Sequence, residues 1–462
     1  MAKNTQEQRR QMLLRDPIPR VVIKMALPTI VAFLINAIYS LADTYFVSSI
    51  SQEAVAAVGV NSILDQLIMM AGSLLALGAN SYIARLLGQN NDKKASQVLS
   101  TAFYLAFAAG AILTVIGVVF MEPMVRLLGA KPAFMNHSID YASFVLLAAP
   151  FMTSSFVMNQ CLRSEGSATF SMIGMGFGGI LNCILDPIFI FGLDMGVKGA
   201  SLATAISKVV SFVILLAPYV LRKSLLHLSI RNIRFKKDIF KEMVTVGSSS
   251  MVRSGLAVVA GILLNQLAGR FPDEISTPLI AGIGVSTKVL NFPFFIILGF
   301  CTGFQPVAGF NWGAKRYDRV RQSYKFASTV AIIGAATMSA LFIIFVDPLI
   351  SLFSEAGAPK NTFAVICIVT QCISLPVHSW VATINMLCAG LGNAKGAFML
   401  ATSRQGTCLI PILFPVSALF GAYGLCYVQA CADVLSLAFA IPIIIYMTKK
   451  INNAEKQQLA AE

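Results

Sequence analysis

Charge is scarce in this chain, and acidic charge is scarcer still. Only 12% of its 462 residues are charged, with 21 Asp and Glu against 35 Lys and Arg, whereas an ordinary soluble domain carries roughly 25%. Together with 56% hydrophobic residues, that excludes a soluble fold, which would aggregate. The three histidines, His137, His227 and His378, are scattered, and no HExxH, Walker loop or nucleophile elbow is present, so no enzyme chemistry is indicated. Nine cysteines, mostly inside apolar runs, show no CxxC spacing; they read as small core residues rather than metal ligands or disulfides.

What the chain has instead is long apolar runs in two matching sets. Stretches able to cross a hydrocarbon core of roughly 30 Å lie near 21–48, 54–83, 96–121, 138–161, 169–192 and 199–221, and again near 242–269, 279–308, 323–346, 362–388, 396–419 and 422–447. Landmarks recur about 225 residues apart. Gly59, Gly78 and Gly88 return as Gly284, Gly303 and Gly313, Pro123 as Pro348, and Gly196 with Gly199 as Gly421 with Gly424. Pro150 and Gly166 meet Pro376 and Gly392 after a one-residue slip. The expected fold is an all-α integral membrane protein with twelve transmembrane helices in two pseudo-symmetric six-helix bundles, 21–221 and 242–447. A basic amphipathic linker, 222–241, joins them, with a polar segment 1–20 before and a tail 448–462 after. The run beginning at Val21 is span-length and followed by many others, so it is expected to be a first transmembrane helix and not a cleaved signal. Duplicated membrane proteins place a substrate path at their repeats and rock the halves to expose it to alternate sides, the architecture of a transporter.

Basic residues fix the expected orientation. They crowd the amino terminus (Lys3, Arg9, Arg10, Arg15, Arg20), the loops with Arg85, Lys93 and Lys94 and with Lys315, Arg316, Arg319, Arg321 and Lys325, the linker, and the tail. Arg163, Lys395 and Arg404 are assigned to the same side, while the opposite loops hold only Arg126, Lys131, Lys198, Arg270 and Lys360. Both termini are therefore expected to be cytoplasmic. The net charge of +14 follows from this bias beside an anionic leaflet and calls for no nucleic acid.

Function is sought among the acids left inside the membrane: Asp43, Asp65, Asp186 and Asp433. A lone charge at a helix centre costs about 2.5 to 3.5 kcal/mol, so each is expected to be protonated, paired, hydrated or in use. Asn36, Tyr39 and Asp43 share one stripe of the first span, and Asn182 and Asp186 one face of the fifth, since residues four apart meet on a helix. Such a cluster can hold a proton or a small cation; the alternative is a pair of hydrogen-bonded pins between helices. Asp65 fits either role, and Asp433, with few polar neighbours in sequence, is expected to be structural. The intramembrane bases Lys208, Arg253 and Lys288 are candidate charge partners lining a cleft. A permanent Lys208–Asp186 pair would stop Asp186 from exchanging an ion.

Several passages carry a resemblance: ALPTIVAFLINAIYSLADTYFV from Ala26, AAVGV from Ala56, LRSEG from Leu162, LNCILDPIFIFGLDMGVKGASLATAIS from Leu181, GFQPVAGFNWGAKR from Gly303 and GLGNAKG from Gly390. In register with a twelve-span duplication, they make the chain resemble the multidrug and toxic compound extrusion (MATE) transporters, in the prokaryotic branch that includes the DNA-damage-inducible F proteins. The resemblance covers nearly the whole chain. It implies a V-shaped pair of bundles that exchanges an incoming proton or sodium ion for an outgoing drug, typically an aromatic or lipophilic cation, with no cofactor. It also implies a multi-pass protein of the prokaryotic cell membrane that works as a monomer. The family's ion-binding groups fall on Asp43, Asn182 and Asp186 with Thr204 nearby, a fourth-span Asn on Asn159, and the helix-bending proline on Pro28. Pro28 also lacks an N–H, which weakens a helix on physical grounds alone. Some branches couple through an acid of the second bundle; spans seven to eleven here hold none in their cores, which argues against that route. A flippase for a lipid-linked precursor is the alternative on the same fold, and basic residues gathered in the cleft would favour it.

Overall fold

The computed structural model describes residues 2–352 and 361–460; Lys360 lies outside them. Every element is helical: α1 Ala2–Arg15, α2 Ile18–Ser48, α3 Gln52–Gly88, α4 Asp92–Val119, α5 Met121–Leu127, α6 Met135–Ser164, α7 Ala168–Pro187, α8 Gly196–Val220, α9 Lys237–Ala268 and α10 Asp273–Gly313. They continue as α11 Tyr317–Ile344, α12 Val346–Ser351, α13 Thr362–Gly390, α14 Ala394–Thr402, α15 Leu409–Leu435 and α16 Leu437–Leu459. Starts are set by side chains that accept the first free amides: Ser51 from Ala54, Asn91 from Lys94, Asn361 from Ala364 and Asn393 from Gly396.

Eleven helical segments among the described residues are long and apolar enough to cross a membrane, and the last, Ala394–Leu459, is 66 residues long. Gly421 divides it, at φ 59° and ψ −139°, a conformation open to glycine because it lacks a Cβ. Counted on either side of that break, there are twelve spans. The first six pack together through α6 against α3, α4 and α8 and through α7 against α2 and α8, and the second six gather around α13.

The bundles meet where α3 packs on α10, Gly88 against Phe310 and Gly313 against Arg85, and along two longer seams. On one, Ala26, Ile30 and Phe33 of α2 face Gly303, Gly299 and Phe295 of α10, with the two phenyl rings stacked at 6.2 Å. On the other, Gly78, Leu74 and Met70 face Met243, Gly247 and Gly255 of α9. These glycines allow backbone to touch backbone, as small residues do between membrane helices; a Cβ on Gly247 would collide with the Leu74 carbonyl. At the end bearing the basic loops the seam is closed further by Arg85–Glu242 at 2.8 Å and by the Ser81 hydroxyl on the Ala389 carbonyl. Past Phe33 and Met70, no hydrogen bond, ion pair or ring contact crosses between the bundles among the described residues.

The segment before the first span and the linker are both pinned to the bundles. Leu13 of α1 is buried, and its carbonyl accepts from Asn311 and Arg319. The linker is a strap laid on α4 rather than a helix, with the amides of His227, Ser229 and Arg234 donating to Ser96, Ser100 and Thr101. Its start caps a buried carboxylate, as Glu165 accepts from Ser224 Oγ at 2.5 Å and the Leu225 amide at 2.8 Å.

Candidate ion and substrate site

Helix α7 is thin enough to wedge between α2 and α8. A Cβ on Gly179 would lie 3.2 Å from Tyr39 Cδ1, and one on Gly178 2.9 Å from Ser211 Cβ. That close approach carries Asn182 and Asp186 toward Tyr39 and Asp43 on one side and Thr204 and Lys208 on the other. Asn182 Nδ2 donates to Asp186 Oδ1 at 3.0 Å and to Thr204 Oγ1 at 3.3 Å. The Asp186 helix ends at Pro187 and runs into a π-helical turn, Ile188–Gly192, because the proline cannot donate and the ladder must rearrange.

Asp43 is 7% exposed and Asp186 fully buried. Asp43 interacts electrostatically with Asp65 of α3 and Asp186 of α7. Asp43 Oδ1, Asp65 Oδ1, Asp186 Oδ2 and Asn182 Oδ1 are all buried without a hydrogen-bond donor among the described residues. Four acceptor oxygens with no donor are costly in an apolar interior, and a proton, a cation or water would complement them.

Lys208 does not pair with Asp186. Its Nζ lies 2.7 Å from Tyr39 Oη and 4.6 Å from the centre of that ring, and no carboxylate stands within ion-pair distance of it among the described residues. Its field acts on Asp65 and Asp43. The cluster thus holds three carboxylates and one ammonium, and Asp186 has no cationic side chain within ion-pair distance among the described residues. Among the described residues no group of three His, Cys, Asp or Glu could hold a metal ion, so a bound sodium ion would draw on amide and hydroxyl oxygens too.

Asn36, Lys208, Gly178 and Gly179 line a cavity of about 70 Å³ with Asn159. That is room for a few waters and far below the 300 Å³ or more of a drug-sized pocket. Asn159 reaches this cavity, but its amide is occupied: Nδ2 donates to the Ser171 carbonyl at 3.1 Å and Oδ1 accepts from Arg163. Pro28 sits within an unbroken α2. Lys288 is exposed and stands apart from the cluster.

Sequence reasoning missed Tyr141 of α6, buried beside Asp43 with its hydroxyl 3.5 Å from Oδ2. A tyrosine near the start of a span carries no signal that separates it from interfacial ones. Arg404, counted with the basic residues of one side although the run 396–419 contains it, is an intramembrane base: it stands on a π-helical turn, Ser403–Cys408, inside the eleventh span, and its Nε donates to Asp433 Oδ1 at 2.6 Å. Asp433 also accepts from Ser374 at 3.0 Å, and His378 Nδ1 is 3.8 Å away.

A family model described as MatE matches residues 28–188 and 250–414, once in each half. The multidrug export protein MepA of Staphylococcus aureus is 29% identical over 437 residues, which is 94% of this chain and 95% of that protein. MepA of Staphylococcus saprophyticus is 29% identical over 95% of this chain and 96% of its own. Among solved structures, a multidrug resistance MATE family transporter in an outward-facing conformation superposes with a TM-score of 0.88 at 23% identity, covering 96% of this chain and 98% of that one. A MOP superfamily transporter from Pyrococcus furiosus gives the same values.

Proposed function

The chain belongs to the MatE family, and on that premise we propose that it is an antiporter that exports lipophilic, often cationic, compounds from the cytoplasm in exchange for protons or sodium ions. One observation carries the coupling: the buried, donor-less oxygens of Asp43, Asp65, Asp186 and Asn182 around a lysine that is held by Tyr39. A proton or sodium ion entering from outside satisfies those oxygens and cancels negative charge in the first bundle, which releases a cationic substrate bound by the same potential. Ion and substrate compete, so neither is carried in both directions.

The sealed end bears the basic loops, and by the positive-inside rule it faces the cytoplasm with both termini. The state described is then the one open to the outside. Return to the inward state requires the seams of α2–α10 and α3–α9 to part, while the ion rides within the first bundle. Each charge moved inward through 100 mV yields about 2.3 kcal/mol, and each pH unit about 1.36 kcal/mol. One or two ions therefore sustain a substrate gradient of tens- to thousands-fold.

The same reading has the protein act in the prokaryotic cell membrane as a monomer. The flippase alternative gains the paired guanidiniums of Arg253 and Arg404, but these stand in one bundle only, opposite an acidic one. The test is efflux of a fluorescent lipophilic cation from proteoliposomes under an imposed proton gradient and, separately, a sodium gradient. Uphill movement driven by one gradient and lost in Asp43→Asn and Asp186→Asn is expected. Uphill movement surviving both substitutions would place the coupling elsewhere, and no movement under either gradient would turn the reading toward lipid substrates.

A further inference from the structure

Lys208 and Asp433 occupy matching places in the duplication, at the spacing that relates Gly196 to Gly421 and Gly199 to Gly424. The charges around them are reversed. Lys208 stands among carboxylates, whereas Asp433 is paired with Arg404 and has His378 beside it, and the field of Arg253 reaches both His378 and Arg404. Arg404 uses only Nε on Asp433, and its guanidinium lies 4.3 Å from the centre of the Phe294 ring. Its two terminal nitrogens have no acceptor among the described residues. Arg253 of α9 has no carboxylate within ion-pair distance among the described residues and donates only to Ser250 Oγ at 3.4 Å. Two guanidiniums and one carboxylate thus share this part of a lipid-embedded bundle, with only Arg404 paired to Asp433, and an excess cation there is costly unless an anion accompanies it.

The cluster also stands where a ligand crossing the seam would meet it. Leu256, one turn from Arg253, packs on Gly406 of the turn that carries Arg404, while Gly255 touches Met70 of the first bundle. Met69, the next residue of α3, lines the cavity with Lys208. A π-helical turn re-aims side chains and is frequent at functional sites.

We propose that Arg253 and Arg404 form a binding site for the carboxylate of an amphoteric substrate whose cationic end occupies the acidic cluster of the first bundle. Asp433 fixes Arg404 through Nε and leaves the other edge of its guanidinium for a bidentate contact, the geometry arginine offers to carboxylates. One excess positive charge matches one carboxylate. The inference rests on the exporter reading above and assigns the residues that would hold a carboxylate on such a compound.

The test uses tetramethylrhodamine methyl ester, a cation, and tetramethylrhodamine free acid, its zwitterion, with Kd measured by fluorescence anisotropy on the purified protein. The ratio of the acid Kd to the ester Kd is expected to rise at least tenfold in Arg253→Gln and in the double variant Arg404→Gln/Asp433→Asn, which leaves no buried carboxylate unpaired. Arg253→Lys should restore the ratio to within about threefold of wild type, because charge returns without the fork. An unchanged ratio in both variants, or a wild type that binds the ester and never the acid, would overturn the inference and leave the exporter reading standing. A wild type that binds neither dye would sink both. Short-chain phosphatidylglycerol that displaces both dyes from wild type, and neither from Arg253→Gln, would reassign the site to a lipid phosphate.

Discussion

The ammonium of Lys208 is 2.7 Å from the hydroxyl of Tyr39 and in ion-pair contact with none of Asp43, Asp65 or Asp186. The phenol therefore holds the cluster's single cation out of ion-pair contact, and none of the three carboxylates is committed to it. Tyr39→Phe frees the ammonium to approach Asp43 or Asp65, where it competes with an incoming ion. The half-maximal proton or sodium concentration for transport is expected to rise about tenfold, equivalent to about 1.4 kcal/mol. Lys208→Gln removes the competitor and should lower it. Initial rates in proteoliposomes at graded ion concentrations check the pair, and shifts of the same sign in both variants would defeat the argument.

The glycine seam gives a second expectation. Gly247 lies against the Leu74 carbonyl so closely that a Cβ cannot fit, and no flexible side chain is there to yield. Gly247→Val should hold the bundles apart at the basic end and prevent the state described here. Turnover is expected to fall at least tenfold while a fluorescent cation still binds the detergent-solubilised protein. Wild-type turnover would mean that this seam is not closed during transport.

Much of this was legible in the sequence for physical reasons. Apolar runs are set by the thickness of the bilayer, and Asp43, Asp65 and Asp186 stand out because a carboxylate amid such runs is costly. Partners from distant spans were not legible. Asp433 looks isolated along its own helix because Arg404 and Ser374 lie 29 and 59 residues away. Arg404 lies within the run 396–419, but nothing along the chain tells that it meets Asp433 rather than water at one end of the span. Asn159 is the candidate for the family's fourth-span Asn, yet Arg163 and Ser171 occupy its amide.

Glu165 lies beyond the end of α6, fully buried beneath the start of the linker strap. Burial pushes its carboxyl up to about 7 from 4.5, against the opposing pull of Ser224, the Leu225 amide and Arg9. A carboxyl that binds its proton more tightly when folded gives stability that is complete below about 4.5 and lost as pH rises through about 7, a change of about 3 kcal/mol at most. Glu165→Gln keeps the neutral shape and removes the titration. Its melting temperature in detergent, relative to wild type, should climb by a few degrees between pH 5 and pH 8. A difference that stays flat across that range would rule out a titrating Glu165.

The Arg404–Asp433 pair separates a structural contribution from a functional one. Both groups are largely withdrawn from solvent, at 17% and 2% side-chain exposure, so each carries a desolvation cost that the other offsets. Arg404→Gln alone leaves Asp433 with Ser374 and a distant His378, and the loss should approach about 3 kcal/mol. Asp433→Asn leaves the more exposed guanidinium, which can reach water, and should cost less. The double variant removes both charges together and is expected within about 1 kcal/mol of wild type, so the two single losses should be strongly non-additive. Thermal or denaturant unfolding of the four proteins in detergent closes the cycle. Additive losses would show that the ion pair is not what steadies this part of the second bundle, and Arg404 would then be held for its ligand alone.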